Sequence, residues 1–265
     1  MIISITCSSL FSQTNKVMEQ GEELDYTVYF GFIKLGSVKF RVNNIYTENK
    51  KKYYTAVADI KSFEGIPFIG IHFIFESVML QDKNGLITSE FHSTEFKDSD
   101  AGGKMKINSD YLFDYDSNRI HIKKFSDPGS KILMDTTVTF IKGREYQDGL
   151  SIFYNARINS LQKSEPRKNV YVYINEKESS VKYSFNFNRD AVSGGIAEFD
   201  LAAIKVAGVA QFIGILGLTG EFEGWISDDE YRIPYKARFN ITIGSVTLEL
   251  TSYKRKGWQP PKFID

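Results

Sequence analysis

Three histidines, His72, His92 and His121, are the side chains in this 265-residue chain best suited to moving protons near neutral pH. Their surroundings do not build a site. No His-Glu-x-x-His or Cys-x-x-Cys spacing accompanies them, and no Gly-x-Ser-x-Gly turn supplies a nucleophile. A three-histidine metal site would need all of them. A single cysteine, Cys7, allows neither an internal disulfide nor a thiolate zinc cluster. Ser227-Asp228-Asp229-Glu230 sets carboxylates side by side. Such a pair does acid–base work only where burial or a facing charge drives the two pKa values apart. We read it instead as a hairpin turn whose Asp side chains accept backbone N–H bonds, with Arg232 nearby. Asp98-Ser-Asp-Ala-Gly-Gly103 opens like a calcium loop, but it lacks the third acidic position and the closing glutamate and reads as a solvated loop. Catalytic residues, a cofactor and a metal are therefore not expected. A hydrolase using His72 or His121 stands third among the functional readings.

The apolar residues say more. Phe 21 and Tyr 15 make aromatics abundant, and two segments, 66–80 and 206–218, exceed what one face of a few strands needs. One reading is a core filled by phenylalanine. The other is an apolar cleft that these segments line or cover, with Gly208, Gly214 and Gly217 letting the second bend as a lid. The expected lining is Phe32, Phe68, Phe73, Phe75, Phe212, Ile213, Leu216 and Trp225. Burying an acyl chain contributes about 0.8 kcal/mol per CH₂, so such a site needs no directional chemistry. Residues 206–218 are shorter than the roughly 20 needed to span a bilayer, and no transmembrane span is expected.

The elements that would hold such a cleft are strands. Val38, Phe40 and Val42 alternate with polar neighbours. So do Val170, Val172 and Ile174, then Ala237, Phe239, Ile241 and Ile243, then Val246, Leu248 and Leu250. Period two marks strands with one wet face, hence an antiparallel sheet. Turn residues at 82–85, 116–119, 175–178 and 227–230 separate the runs. One segment, 148–162, repeats differently. Leu150, Phe153, Tyr154, Arg157, Ile158 and Leu161 share a helix face, with Asp148 as N-cap. The spacing predicts a single all-β domain over residues 20–257. It is a strongly curved antiparallel half-barrel of about a dozen strands with one amphipathic helix packed on it. Residues 258–265, with Pro260-Pro261, are expected to trail along the surface. Lys+Arg 33 against Asp+Glu 33 gives no net charge, which argues against a nucleic-acid partner.

Residues 1–13 are apolar and uncharged, with small residues near Ser12 and Gln13. They read as a residual or truncated export signal without its basic start, and residues 1–19 as that signal plus a flexible N-terminus. Cys7 is either lipidated or removed with the signal. Removal would leave a cysteine-free chain suited to an oxidising compartment.

Gly21-Glu22-Glu-Leu-Asp-Tyr26, followed by a hairpin bounded by Gly31 and Gly36, resembles the opening of a family of exported bacterial proteins, domain of unknown function 3108. Arg157 on the helix matches in the middle. Trp225-Ile-Ser227-Asp228-Asp229, Arg232-Ile-Pro234 and Ile243-Gly244-Ser resemble its ending. The resemblance implies a YmcC-like half-barrel, similar to lipoprotein carriers, in the periplasm or on the periplasmic face of the outer membrane of a Gram-negative bacterium. The family has no established activity to carry over. Gly149, where relatives often have Pro, and the apolar 206–220 segment depart from its pattern. The leading expectation is a non-enzymatic envelope protein binding a lipid, lipidated protein or glycolipid in its concavity. The alternative is an interaction module that docks an envelope partner.

Overall fold

The computed structural model describes residues 14–66, 70–98, 104–214, 219–241 and 244–264. A helical turn at 14–17 leads into β1 (Glu23–Phe30), β2 (Ile33–Glu48), β3 (Lys51–Ser62), β4 (His72–Asp82), β5 (Gly85–Asp98), β6 (Lys104–Asp114), β7 (Arg119–Asp127) and β8 (Lys131–Thr139). After β9 (Tyr146–Gln147) comes the helix, here α1 (Gly149–Asn159). The chain ends with β10 (Arg167–Ile174), β11 (Lys177–Val192), β12 (Leu201–Ala210), β13 (Gly220–Ser227), β14 (Pro234–Asn240) and β15 (Ser245–Lys254).

All fifteen strands form one sheet in the order β8-β7-β6-β5-β4-β3-β2-β1-β15-β14-β13-β12-β11-β10-β9. Neighbours are antiparallel except β9, which pairs parallel with β10, so the sheet is mixed and longer than the expected dozen strands. Twist accumulated over so many strands curls the sheet into a half-barrel whose edge strands do not pair. Side chains bridge the gap. The Tyr111 hydroxyl on β6 donates to Glu176 in the β10–β11 turn at 2.6 Å, and the Tyr146 ring lies 5.1 Å from Phe140 and 6.2 Å from Tyr173.

Alternation decides which face is which. On β1, Leu24, Tyr26 and Val28 are buried inside, while Glu23, Asp25 and Thr27 point out. Register carries one outward row across nine strands: Lys254, Glu23, Arg41, Val57, Glu76, His92, Asp110, Lys123 and Asp135 are successive cross-strand partners. Val57 apart, charge alternates along it. Opposite charges face to face stabilise each pair, and a one-residue slip would drive the row inside, so the row helps to specify register.

The helix lies inside the curve. Asp148 caps it by accepting from the Leu150 and Ser151 amides, and Ser151 Oγ returns a bond to the Asp148 amide. Leu150, Tyr154 and Ile158 pack with Val42, Tyr54, Met79 and Leu86. The Phe153 ring stacks on Phe40 at 4.2 Å, and Ile152 faces the Val181–Ile226 cluster on the far wall. The helix thus fills one end of the half-barrel. The strand ends at Phe30 and Ile33, Ser62 and His72, Asp98 and Lys104, Asp127 and Lys131, Ala210 and Gly220, and Asn240 and Ser245 lie at the other end, which is open.

Three expectations are corrected. Residues 14–19 do not stand apart, because Val17 and Met18 are buried against Tyr54 and Leu150. The tail does not trail: Trp258 is buried, Pro261 O accepts from the Ala202 amide at 2.9 Å, and Lys262 bridges to Leu201. A proline cannot donate, but its carbonyl still accepts, which is enough to seat this segment. Nor is 206–218 one loop, since residues 206–210 lie in β12. A Cβ on Gly208 would meet Lys182 O and the Phe222 ring at 2.5 Å, so this glycine serves close packing rather than bending. Residues 215–218 lie outside the described residues, as do Cys7, Phe68, Ile243 and most of the 98–103 segment.

Gly36 is a sharper case of close approach, because a Cβ there would sit 2.3 Å from Lys61 O. Gly36→Ala is expected to lower the stability of the fold by about 2 kcal/mol, read as a reduced urea midpoint at unchanged slope. An unaltered midpoint would contradict the close β2–β3 contact.

Candidate functional site

The family-like residues converge on a buried polar latch at the helix end. Arg157 and Glu22 are both 0 % exposed and pair through two bonds, Nη1–Oε1 at 2.6 Å and Nη2–Oε2 at 2.9 Å. Arg157 Nε also donates to Arg232 O at 3.0 Å, and Nη2 to Tyr231 O. Arg255 Nη1 adds a bond to Glu22 at 3.1 Å. Burial works against the charged guanidinium of Arg157, but Glu22 outweighs it and holds the pKa above the usual arginine value.

The 227–232 turn is wired to the same point. Asp229 Oδ1 accepts from Ser227 Oγ at 2.7 Å and from the Tyr231 and Arg232 amides, and its Oδ2 accepts from the Trp258 indole at 2.7 Å. Arg232 donates to Ser227 O and Asp228. Burial pushes the Asp228 carboxyl up, but bonds from Arg189 and Arg232 hold it below the usual range. The Tyr26 hydroxyl donates to Pro234 O at 2.8 Å. Gly21, Gly31 and Gly244 occupy turns at positive φ. The carboxylates of Glu22 and Asp229 and the Arg157 guanidinium are engaged by protein groups, whereas the buried Arg232 Nε has no hydrogen-bond partner; the network ties three segments together and so holds structure.

The open end differs. Inward rings form a chain: Phe73–Phe75 at 5.8 Å, Phe75–Phe91 at 5.4 Å, Phe91–Tyr111 at 6.0 Å and Tyr111–Tyr173 at 6.3 Å. Phe222 and Phe239 stack at 5.8 Å on the other wall. Phe73, Phe75, Phe91, Tyr173, Phe222 and Phe239 are only half-buried although they face inward. Toward the rim the same face turns polar. Ser93 and Ser109 are in register with Phe75, followed by Lys124, which pairs with Glu176. The inward face of the open half thus has an apolar floor and a polar collar.

The predicted lining is only partly assembled. Phe73 and Phe75 are in the ring chain, and Phe212 packs against the Tyr183–Val206 cluster. Ile213 is 64 % exposed, and Phe32 is 94 % exposed at the tip of the β1–β2 hairpin, so neither lines the hollow. Trp225 lies on the opposite face from Gly224 and Ile226. There Lys205 covers its ring, and its indole N–H donates to Asp190. Phe68 and Leu216 lie outside the described residues. Phe91, Tyr111 and Tyr173 were missed. Phe91 follows the period-two pattern, but only pairing registers show that the three meet.

Two shallow depressions, of about 380 and 470 Å³, lie on the outer face beside His121 and beside Lys182. Each histidine is outward and paired with carboxylate: His72 with Asp59 at 3.1 Å, His121 with Asp135 at 2.8 Å, and His92 with Asp110 at 2.7 Å and Glu90 at 3.3 Å. None is hydrogen-bonded to a serine hydroxyl among the described residues.

The matching family model, a protein of unknown function (DUF3108), spans residues 25–251. The chain belongs to the DUF3108 family. No curated protein matches it in sequence. Among solved structures it is similar to a β-barrel-like DUF1849 protein of Brucella abortus, with TM-score 0.53 and 9 % identity over 89 % of this chain and 98 % of that one. A proposed lipoprotein of Parabacteroides distasonis matches with TM-score 0.37 and 10 % identity over 89 % and 96 % of the two chains. A proposed exported protein of Bacteroides fragilis with a YmcC-like fold matches with TM-score 0.35 and 8 % identity over 90 % and 97 %. The similarity to the Brucella protein is one of fold.

Breaking the latch should be costly. Glu22→Gln is expected to lower stability by about 3–5 kcal/mol in urea unfolding, because the buried Arg157 charge is stranded, and Arg157→Met by less, because Glu22 keeps its bond from Arg255. Glu22→Leu combined with Arg157→Met should cost less than the sum of the separate changes. Single losses under about 1 kcal/mol would contradict the latch. His92 offers a pH test. Burial lowers its pKa, but the bonds to Asp110 and Glu90 prevail and hold it above the ordinary 6.5. A raised folded value means stabilisation fully present below about 6.5 and lost as pH rises through the folded pKa. NMR titration should give a His92 midpoint above 6.5 that falls in Asp110→Asn; a midpoint unmoved by that change would contradict the pairing.

Proposed function

We propose that this DUF3108 protein is a non-enzymatic exported protein that holds the apolar part of a lipid, lipidated protein or glycolipid in the open half of its barrel. The observation that carries this reading is the chain of inward rings left half-buried in an otherwise packed interior. Water against these rings is displaced favourably by an acyl chain, and each added CH₂ contributes about 0.8 kcal/mol. The serine and lysine collar supplies partners for a polar head. The engagement of each histidine by carboxylate on the outer face favours binding over hydrolysis. Export to the periplasm, or to the periplasmic face of an outer membrane, draws its support from the apolar, uncharged residues 1–13.

Native mass spectrometry of the purified chain should retain palmitate or a lysophospholipid. Phe75→Ala or Phe91→Ala should weaken displacement of a fluorescent fatty acid by about three- to tenfold. Trp225→Ala, on the other face, should leave it unchanged. Absence of acyl binding, or equal loss in all three variants, would count against the hollow and shift weight to docking of an envelope protein partner.

A further inference from the structure

The exposed apolar side chains are unevenly placed. Among the described residues, seven of thirteen large apolar side chains that reach water lie on connections or strand ends at the open end of the barrel. Phe32 is the extreme case: 94 % exposed, it stands at the tip of a narrow hairpin beside Ile33. Phe63 follows β3 directly, and its amide donates to Leu35 O at 2.9 Å, so the two apolar tips are neighbours on the rim. Ile213 extends the rim on the β12 side, held by Asn175, which donates to its carbonyl at 3.1 Å. At the helix end Val17, Met18 and Trp258 are buried, and the apolar side chains that reach water there, Ile141, Phe199 and Ile264, include one aromatic ring, against three at the open end.

The charges beside these tips also lack an internal use. Lys34 follows the Phe32 tip and Lys61 precedes Phe63, both exposed, and neither has an ion-pair partner among the described residues. Some outer-face lysines are paired, Lys205 with Glu223 at 2.7 Å, Lys236 with Glu249 at 2.6 Å and Lys254 with Glu23 at 3.0 Å, whereas Lys182 is, like Lys34 and Lys61, without an ion-pair partner among the described residues. Single aromatic side chains on separate tips, with the Lys34 and Lys61 ammonium groups outnumbering the exposed Glu64 carboxylate beside Phe63, fit insertion between lipid headgroups better than a flat protein contact, which needs one continuous patch. Anionic headgroups answer the lysines, and acyl chains answer the rings.

We propose that the open rim, through Phe32, Phe63, Ile213, Lys34 and Lys61, docks this protein on an anionic lipid surface. Docking there would turn the mouth of the hollow toward the membrane. The inference rests on the rim alone and does not require the hollow to hold a ligand, so vesicle binding and fatty-acid binding can fail separately.

Flotation of the full chain with vesicles of phosphatidylcholine and phosphatidylglycerol tests it. The chain should float with mixed vesicles and less with phosphatidylcholine alone. Phe32→Ser should cut partitioning by about tenfold. Lys34→Glu with Lys61→Glu should cut it by more than about tenfold, since each nearby lysine is worth about fivefold. Both variants alter exposed positions, and circular dichroism verifies that they fold. Ile213→Ser gives a second reading on a separate loop. Failure of the wild-type chain to float, or flotation unchanged by the Phe32 and lysine variants, would overturn the proposal. Stable capture of a protein by the rim without vesicle binding would overturn it equally.

Discussion

Glu22 and Arg157 lie where water cannot reach them, and that single constraint organises one end of the molecule. A buried carboxylate or guanidinium left alone is strongly unfavourable, so each must find the other with good geometry. Meeting that demand brings together the chain just before β1, the last turn of the helix and the turn between β13 and β14. Arg232 takes a left-handed backbone conformation there, with its carbonyl accepting from Arg157. The helix is thereby held at one end of the curved sheet, and its eleven residues do not extend into the other end. The half-buried rings follow from that geometry: the far half of the sheet keeps its inward aromatic face but receives no helix to cover it.

The same sheet keeps its outside wet by pairing charge with charge. The row from Lys254 to Asp135 uses strand register to set opposite signs side by side, so the wet face helps to choose the pairing as well as to keep the protein in solution. An unclosed sheet has edges to protect. One edge strand, β9, has only two residues, and the other, β8, carries Lys131 and Asp135. Side-chain contacts across the seam, such as Tyr111 to Glu176, hold the curl without closing the hydrogen-bond ladder.

Local pattern made the strands and the helix legible, because period two and the 3.6 repeat are written in neighbouring residues. Val38, Phe40 and Val42, and the Asp148 cap, needed no partner to be read. What pattern could not supply was distance in the fold. Arg157 stood out as a charge on an apolar helix stripe and as a match to the family pattern, but neither named its partner, which is 135 residues away. Apolarity placed Trp225 in the hollow, whereas register puts it outside, where Lys205 and Asp190 satisfy its ring and indole N–H. Phe32 was misplaced for a related reason: a hairpin tip was legible, but an aromatic at a tip was assigned to a lining. Tyr173 and Tyr111 meet only because the sheet curls until β6 reaches β10, which is a property of the whole sheet.

The central claim is that the helix-free half of the barrel admits an acyl chain. Paramagnetic broadening by a fatty acid carrying a nitroxide on its chain tests it atom by atom in solution. The account predicts selective loss of the Phe75, Phe91 and Tyr173 ring signals, with the Trp225 indole signal on the outer face left sharp. Broadening centred on Trp225 and the outer strands, or no broadening of the inward rings at saturating probe, would contradict it.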